Sequence, residues 1–251
     1  MIKIFHKLRI LAITSLLFLT ISWSLPAQAD TKIDPKLEQQ VLEIIRRNPK
    51  AIIESVQAYQ EEQQQKVQKV QQARQGFLQD LRTNTKGVIG DSPTTGSTQL
   101  KTVLIEFSDF ECPYCAEANK TLKDLLAKYP NQFTLVYKHF PLVQIHDQAL
   151  PAAKAAWAAY QQGKFWQYHD ALFTNQKQLG ESLYLDIAKN LNLDLAKFKR
   201  DRNLADKAIQ QDLQMAYKLG LSGTPSFIIN SQNLSGPVQL SEIESILERG
   251  D

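Results

Sequence analysis

Cys112 and Cys115 are the only cysteines in the chain, and they stand three positions apart in Phe107-Ser108-Asp109-Phe110-Glu111-Cys112-Pro113-Tyr114-Cys115. The apolar run Thr102-Val103-Leu104-Ile105 leads into them. A strand that ends in Cys-x-x-Cys and passes into a helix suits thiol–disulfide exchange: one sulfur attacks and the second is near enough to resolve the mixed disulfide. Pro113 fits the first helical position, which puts Cys112 at the N-cap, where unpaired backbone N–H groups and the helix dipole favour an anion. Cys112 is therefore expected to be the nucleophile, with a lowered pKa. Cys115, one turn inside the helix, is expected to be the buried resolving thiol. Tyr114 brings no positive charge between them, so part of the possible thiolate stabilisation is absent. A zinc site would need about four ligands. There is no third cysteine, and His6, His139, His146 and His169 lack metal spacing, so neither metal nor organic cofactor is expected. A structural bridge across so short a loop would close little chain. The rival from another class is a copper(I)-binding chaperone, because two thiolates suit that ion. Met215 is the only methionine after Met1, so no methionine-rich patch supports it.

Glu106 interrupts a strand that is apolar on both faces and so central. A carboxyl there is costly unless it has a role or a partner. One reading makes it a buried proton acceptor for Cys115; the other makes it a strand-end glutamate that reaches solvent. Gly223-Thr224-Pro225-Ser226-Phe227 precedes another strand. A proline at that place is either an ordinary trans residue or a cis Thr224–Pro225 bond beside the cysteines. In the second case the Thr224 backbone could bind an extended substrate peptide as an added strand.

These residues need a scaffold. The pattern gives a strand near 102–107, a helix from Pro113 to about Lys128 and a strand over Phe133–Tyr137. An alanine-rich helical block follows, over about 141–219. Phe227-Ile228-Ile229 reads as a strand, Gln239-Leu240 as the end of its partner, and Ser241 with Glu244 as the capping box of a last helix. That order is a thioredoxin-like α/β domain over 101–251 with a helical insertion. Residues 87–100, rich in Gly, Ser and Thr, read as a linker. Before it, 30–86 reads as a helical segment with starts at Asp34-Pro35 and Asn48-Pro49. Its middle, Glu61-Glu62-Gln63-Gln64-Gln65, is polar all round. That part either projects into solvent or pairs with copies of itself.

Lys3, Lys7 and Arg9, an uncharged run from Ile10 to Leu25 and Ala27-Gln28-Ala29 form a secretory leader over 1–29, with cleavage after Ala29. The alternative is an uncleaved membrane anchor over 10–25. Without residues 1–29 the formal charge falls from +3 to zero, so no net basic field for nucleic acid remains. An exported chain with two cysteines is not stapled by disulfides, and its one pair is placed for reactivity.

Four motifs in order resemble the DsbA family of exported thiol–disulfide oxidoreductases: Phe107-x-Asp109-Phe110-x-Cys112-Pro113-Tyr114-Cys115, Tyr137-Lys138-His139-Phe140-Pro141-Leu142, Gln162-Gly163-Lys164-Phe165-Trp166 and Gly223-Thr224-Pro225-Ser226-Phe227. The resemblance covers about residues 100–251. It implies a redox-active Cys112–Cys115 pair, a cis Thr224–Pro225 bond, a glutamate at 106 beneath the cysteines, and substrate contacts around Pro113, Tyr114, Thr224 and Pro225. Glutaredoxins share Cys-Pro-Tyr-Cys but lack a helical insertion of this length. The segment over about 33–82 is similar to that of suppressor-of-copper-sensitivity protein C, which implies a homo-oligomer and isomerase or reductase work as an alternative to oxidase work. Either direction implies two kinds of partner: cysteine-containing exported proteins, and a membrane protein that resets the redox state.

Overall fold

The computed structural model describes residues 34–230 and 235–249. The expected leader and its cleavage site, and the alternative anchor over 10–25, lie outside those residues. No helix among the described residues is long and apolar enough to cross a membrane. The chain divides into two compact units at Glu61/Glu62.

The first unit holds α1 (Pro35–Arg47) and the start of α2 (Pro49–Thr83). Asp34 caps α1 by accepting from the Lys36 N–H at 2.9 Å, with Pro35 at the first position. Leu37, Val41, Leu42, Ile44, Ile45, Ile52, Ile53 and Val56 are all exposed.

The second unit begins inside α2, well before the boundary expected at residue 86. Phe77, Leu78 and Leu81 recur at helical spacing and join its core. Arg74 Nε donates to the Leu219 carbonyl at 2.7 Å. Val70 lies so close to Gly220 that a Cβ there would meet it at 2.7 Å, and Gly220 has φ +65. Glycine is required at that position on both counts. After α3 (Thr85–Ile89) comes β1 (Thr94–Gly96), so the stretch 87–100 is not all linker. Three residues suffice for an edge strand, and Gly96, at φ +87, passes too near the Phe133 carbonyl to carry a side chain.

The remaining elements are β2 (Val103–Ser108), α4 (Pro113–Lys128), β3 (Thr134–His139), α5 (Ala149–Tyr160), α6 (Phe165–Thr174), α7 (Glu181–Asn190), α8 (Leu195–Leu204), α9 (Asp206–Lys218), β4 (Ser226–Asn230), β5 (Ser235–Val238) and α10 (Leu240–Glu248). The last helix starts one residue before Ser241. Its capping box is therefore Gln239 with Glu242, not Ser241 with Glu244.

The sheet runs β1-β3-β2-β4-β5. β2 lies parallel to β3 and antiparallel to β4. Side chains alternate across it. Val103, Ile105 and Phe107 pack with Val136, Leu81, Ile209 and Leu213 on the face covered by α2 and α9. Leu104, Leu135 and Ile229 pack on the other face against α4 and α10. A third core joins the cysteines to the insertion, where five buried alanines of α5 let neighbouring helices approach closely. The fold is thioredoxin-like with an inserted helical block, as the motif order implies.

Candidate active site

Cys112 is the N-cap of α4 and Pro113 its first residue. The turn is held from several sides. The Cys112 N–H donates to the Asp109 carbonyl at 3.2 Å, and the Cys115 N–H to the Cys112 carbonyl at 3.1 Å. Gln176, in the turn after α6, donates from Nε2 to the carbonyls of Phe110 and Cys112 at 2.9 and 2.8 Å. Both thiols are free and buried, Cys112 at 4% exposure and Cys115 at 0%. Tyr114 between them is 70% exposed.

The Cys112 pKa is pulled down to about 5. The largest cause is a hydrogen bond from the Cys115 thiol. Burial opposes it, while the Thr224 side chain and the backbone N–H groups of Cys115 and Tyr114 add to it. The helix start therefore contributes, but the resolving thiol contributes more. Cys115 moves the opposite way: burial, its bond to Cys112 and the nearby Glu106 charge all hold its proton on.

The Thr224–Pro225 peptide is cis, and Cys112 Sγ lies 3.3 Å from the Thr224 carbonyl oxygen. Beside them runs a groove of about 570 Å³ with Tyr114, Glu117, Thr121, Thr224, Pro225 and Leu240 in its walls. Cys112, Cys115, Thr224, Pro225, Pro113 and Tyr114 thus come together around one sulfur.

Glu106 sits beneath, 1% exposed. Its carboxyl does not reach solvent, which removes the strand-end reading. Burial pushes its pKa up to about 7, against a small opposing effect of the Ser108 hydroxyl. Glu106 and Ser108, two apart on β2, face the same side as Leu104. Glu106 pairs in register with Tyr137 of β3. Glu106 Oε1, Ser108 Oγ and Tyr137 OH are all buried with no hydrogen-bond partner. Around them lie the rings of Phe110, His139 and His169, with centroids 5.4, 5.1 and 5.2 Å from that of Tyr137. Burial holds the His139 pKa down at about 3 and lowers that of His169, so both rings are neutral. Among the described residues no group of three or more His, Cys, Asp or Glu is arranged to hold a metal.

Sequence reasoning missed Ser108, Tyr137, Gln176 and His146. His146 Nδ1 lies 2.8 Å from Asp109 Oδ2 beside the cysteine turn. Ser108 and Tyr137 could have been found from strand parity, because each shares the face of Glu106. Nothing in the local pattern marks Gln176 or His146, which reach the site from outside the strand–helix unit.

The family model described as Thioredoxin matches residues 89–249. The chain belongs to the thioredoxin family. Its thioredoxin-like sheet carries a block of inserted helices between β3 and β4. A solved thioredoxin-like oxidoreductase from Silicibacter pomeroyi DSS-3 is 31% identical, with a TM-score of 0.58 over 66% of this chain and 97% of that one. ScsC from Proteus mirabilis in a transitional conformation shares the fold at 23% identity, with a TM-score of 0.56 over 90% of this chain and 97% of that one. A curated relative, the Na(+)/H(+) antiporter NhaA 3 of Salinispora tropica, is 36% identical over 154 residues, which is 60% of this chain and 23% of that protein. The chain spans about a quarter of the length of the curated relatives it matches, and the remainder of those proteins has no counterpart in the match.

Proposed function

We propose that this thioredoxin-family chain works outside the cytoplasm and donates the Cys112–Cys115 disulfide to cysteine pairs of exported proteins. The observation that carries this is the stabilised Cys112 thiolate beside the Thr224 carbonyl. A substrate thiolate attacks Cys112 Sγ and breaks the Cys112–Cys115 bond. The electron pair leaves on Cys115, which takes up a proton, and Glu106 is the nearby acid that can supply it. The second substrate thiolate attacks the substrate sulfur of the mixed disulfide. Cys112 then departs as a thiolate, and its low pKa makes it a good leaving group. The substrate loses two electrons and the protein gains two, so a membrane partner must reoxidise Cys112 and Cys115. The substrate backbone runs through the groove beside Tyr114, Thr224 and Pro225.

Equilibration of the chain from Asp30 onward with glutathione buffers tests this. A potential near about −120 mV fits a disulfide donor, whereas one at about −180 mV or below would assign it to isomerase or reductase work.

A second reading is favoured by the exposed apolar side chains of α1 and the start of α2. These residues pack against copies of the same chain, and the resulting homo-oligomer acts as an isomerase. Light scattering on the protein and on an Ile45→Lys, Ile53→Lys variant checks it. A protein that is monomeric in both forms sinks the reading.

A further inference from the structure

The loop between β3 and α5 brings a histidine to the cysteine turn. We propose that His146, held on the buried carboxylate of Asp109, is the cation that supports the Cys112 thiolate in this chain, and that it thereby sets how strongly the Cys112–Cys115 disulfide oxidises other thiols. The inference rests on the thiol–disulfide reading above.

Asp109 is the hub. Its side chain is fully buried. Oδ1 accepts from the Glu111 N–H at 2.8 Å, and Oδ2 accepts from the Leu142 N–H at 2.9 Å and meets His146 Nδ1 at 2.8 Å. The backbone carbonyl of the same residue accepts from the Cys112 N–H. One aspartate therefore ties the cysteine turn to the loop that carries the histidine. A second tie runs from the Gln148 N–H to Glu111 Oε2 at 2.6 Å. With both ends of the loop stitched to the turn, His146 cannot swing away without breaking buried bonds.

The charge logic follows from this geometry. A ring nitrogen hydrogen-bonded to a carboxylate carries its proton, so His146 gains or loses charge at Nε2. Burial works against that charge, but the bond to Asp109 and the charges of Asp109, Cys112 and Glu111 outweigh it, and the pKa is raised. The groups that face His146 are thus three anions from the turn, one of them the nucleophile. Coupling between two titrating groups is reciprocal: if the thiolate favours the imidazolium, the imidazolium favours the thiolate to the same degree. Tyr114 leaves the position between the cysteines without a cation, and the structure supplies one from a loop more than thirty residues downstream.

The first experiment needs no variant: the ring protons of His146 are titrated by NMR in the reduced and the oxidised protein. His146 is expected to bind its proton about tenfold more tightly when Cys112 is a free thiolate, the lower end of what a nearby opposite charge produces. The same factor should be lost from the equilibrium constant with glutathione in His146→Asn. That variant keeps a donor for Asp109 and removes the charge. Equal midpoints in the two redox states, or an unchanged glutathione constant in a folded His146→Asn protein, would overturn the proposal. If His146→Asn does not fold, the NMR comparison decides alone. A Cys112–Cys115 pair that does not cycle with glutathione at all defeats the exchange reading itself and this inference with it.

Discussion

Adjacent strands carry two buried polar sites that are built in opposite ways. On the face under α9, Lys138 of β3 is buried and paired: its Nζ donates to the Ile89 carbonyl at 3.2 Å and pairs with Asp212 at 3.3 Å. The second oxygen of Asp212 accepts from the His139 N–H at 2.9 Å. On the face under the cysteines, Glu106, Ser108 and Tyr137 are just as buried, and each leaves an oxygen without a partner. A buried polar group that is fully paired serves the structure; one left open is costly and persists where it has a task. The first site locks β3 to α9. The second keeps an acid of pKa about 7 next to a thiol that must gain and lose a proton.

Breaking the closed site should have the largest effect. Lys138→Ala leaves Asp212 buried without its cation and should cost about 3 kcal/mol of stability in urea unfolding. A loss under about 1 kcal/mol would show that the pair is not closed in solution.

Glu106→Gln should do the reverse. The folded-state pKa of Glu106 is raised, so the folded protein holds its proton where the unfolded chain has released it. Stability from this group is intact below about pH 4.5 and falls as pH rises to about 7, by up to roughly 3 kcal/mol. Unfolding of the disulfide form across pH, where neither thiol titrates, should show this fall in the wild type and not in Glu106→Gln. Parallel curves would mean that Glu106 is not held in its acid form. The same variant should slow release of the Cys112–Cys115 disulfide to substrate, the step in which Cys115 takes up its proton.

The smallest effects belong to the open hydroxyls. Ser108→Ala and Tyr137→Phe remove buried hydroxyls that have no well-formed hydrogen-bond partner, so stability should change by less than about 1 kcal/mol. The pH at which disulfide release is half-maximal should nevertheless move, because both hydroxyls border Glu106 and Cys115. A release profile identical to wild type in both variants would leave the open site without a proton role.

Much of this was legible in the sequence because it is local. Cys112-Pro113-Tyr114-Cys115 fixes a helix start by cap and proline chemistry alone, and Val103–Phe107 announces a central strand by being apolar on both faces. Long-range pairing was not legible. Thr94–Gly96 has too few residues to show a strand period and is recognised only once β3 lies beside it. Lys138–Asp212 and Asp109–His146 join residues more than thirty positions apart, and no local spacing encodes them. The end of α2 shows a middle case. The spacing of Phe77 and Leu81 was visible, but that they dock on the main unit depends on where α9 lies.

The most direct test of the account is the rate at which iodoacetamide alkylates the reduced protein across pH, with the modified residue identified by mass. The account predicts labelling at Cys112, half-maximal near pH 5, with Cys115 unmodified. A midpoint near the ordinary thiol value of about 8.5, or equal labelling of both cysteines, would contradict it.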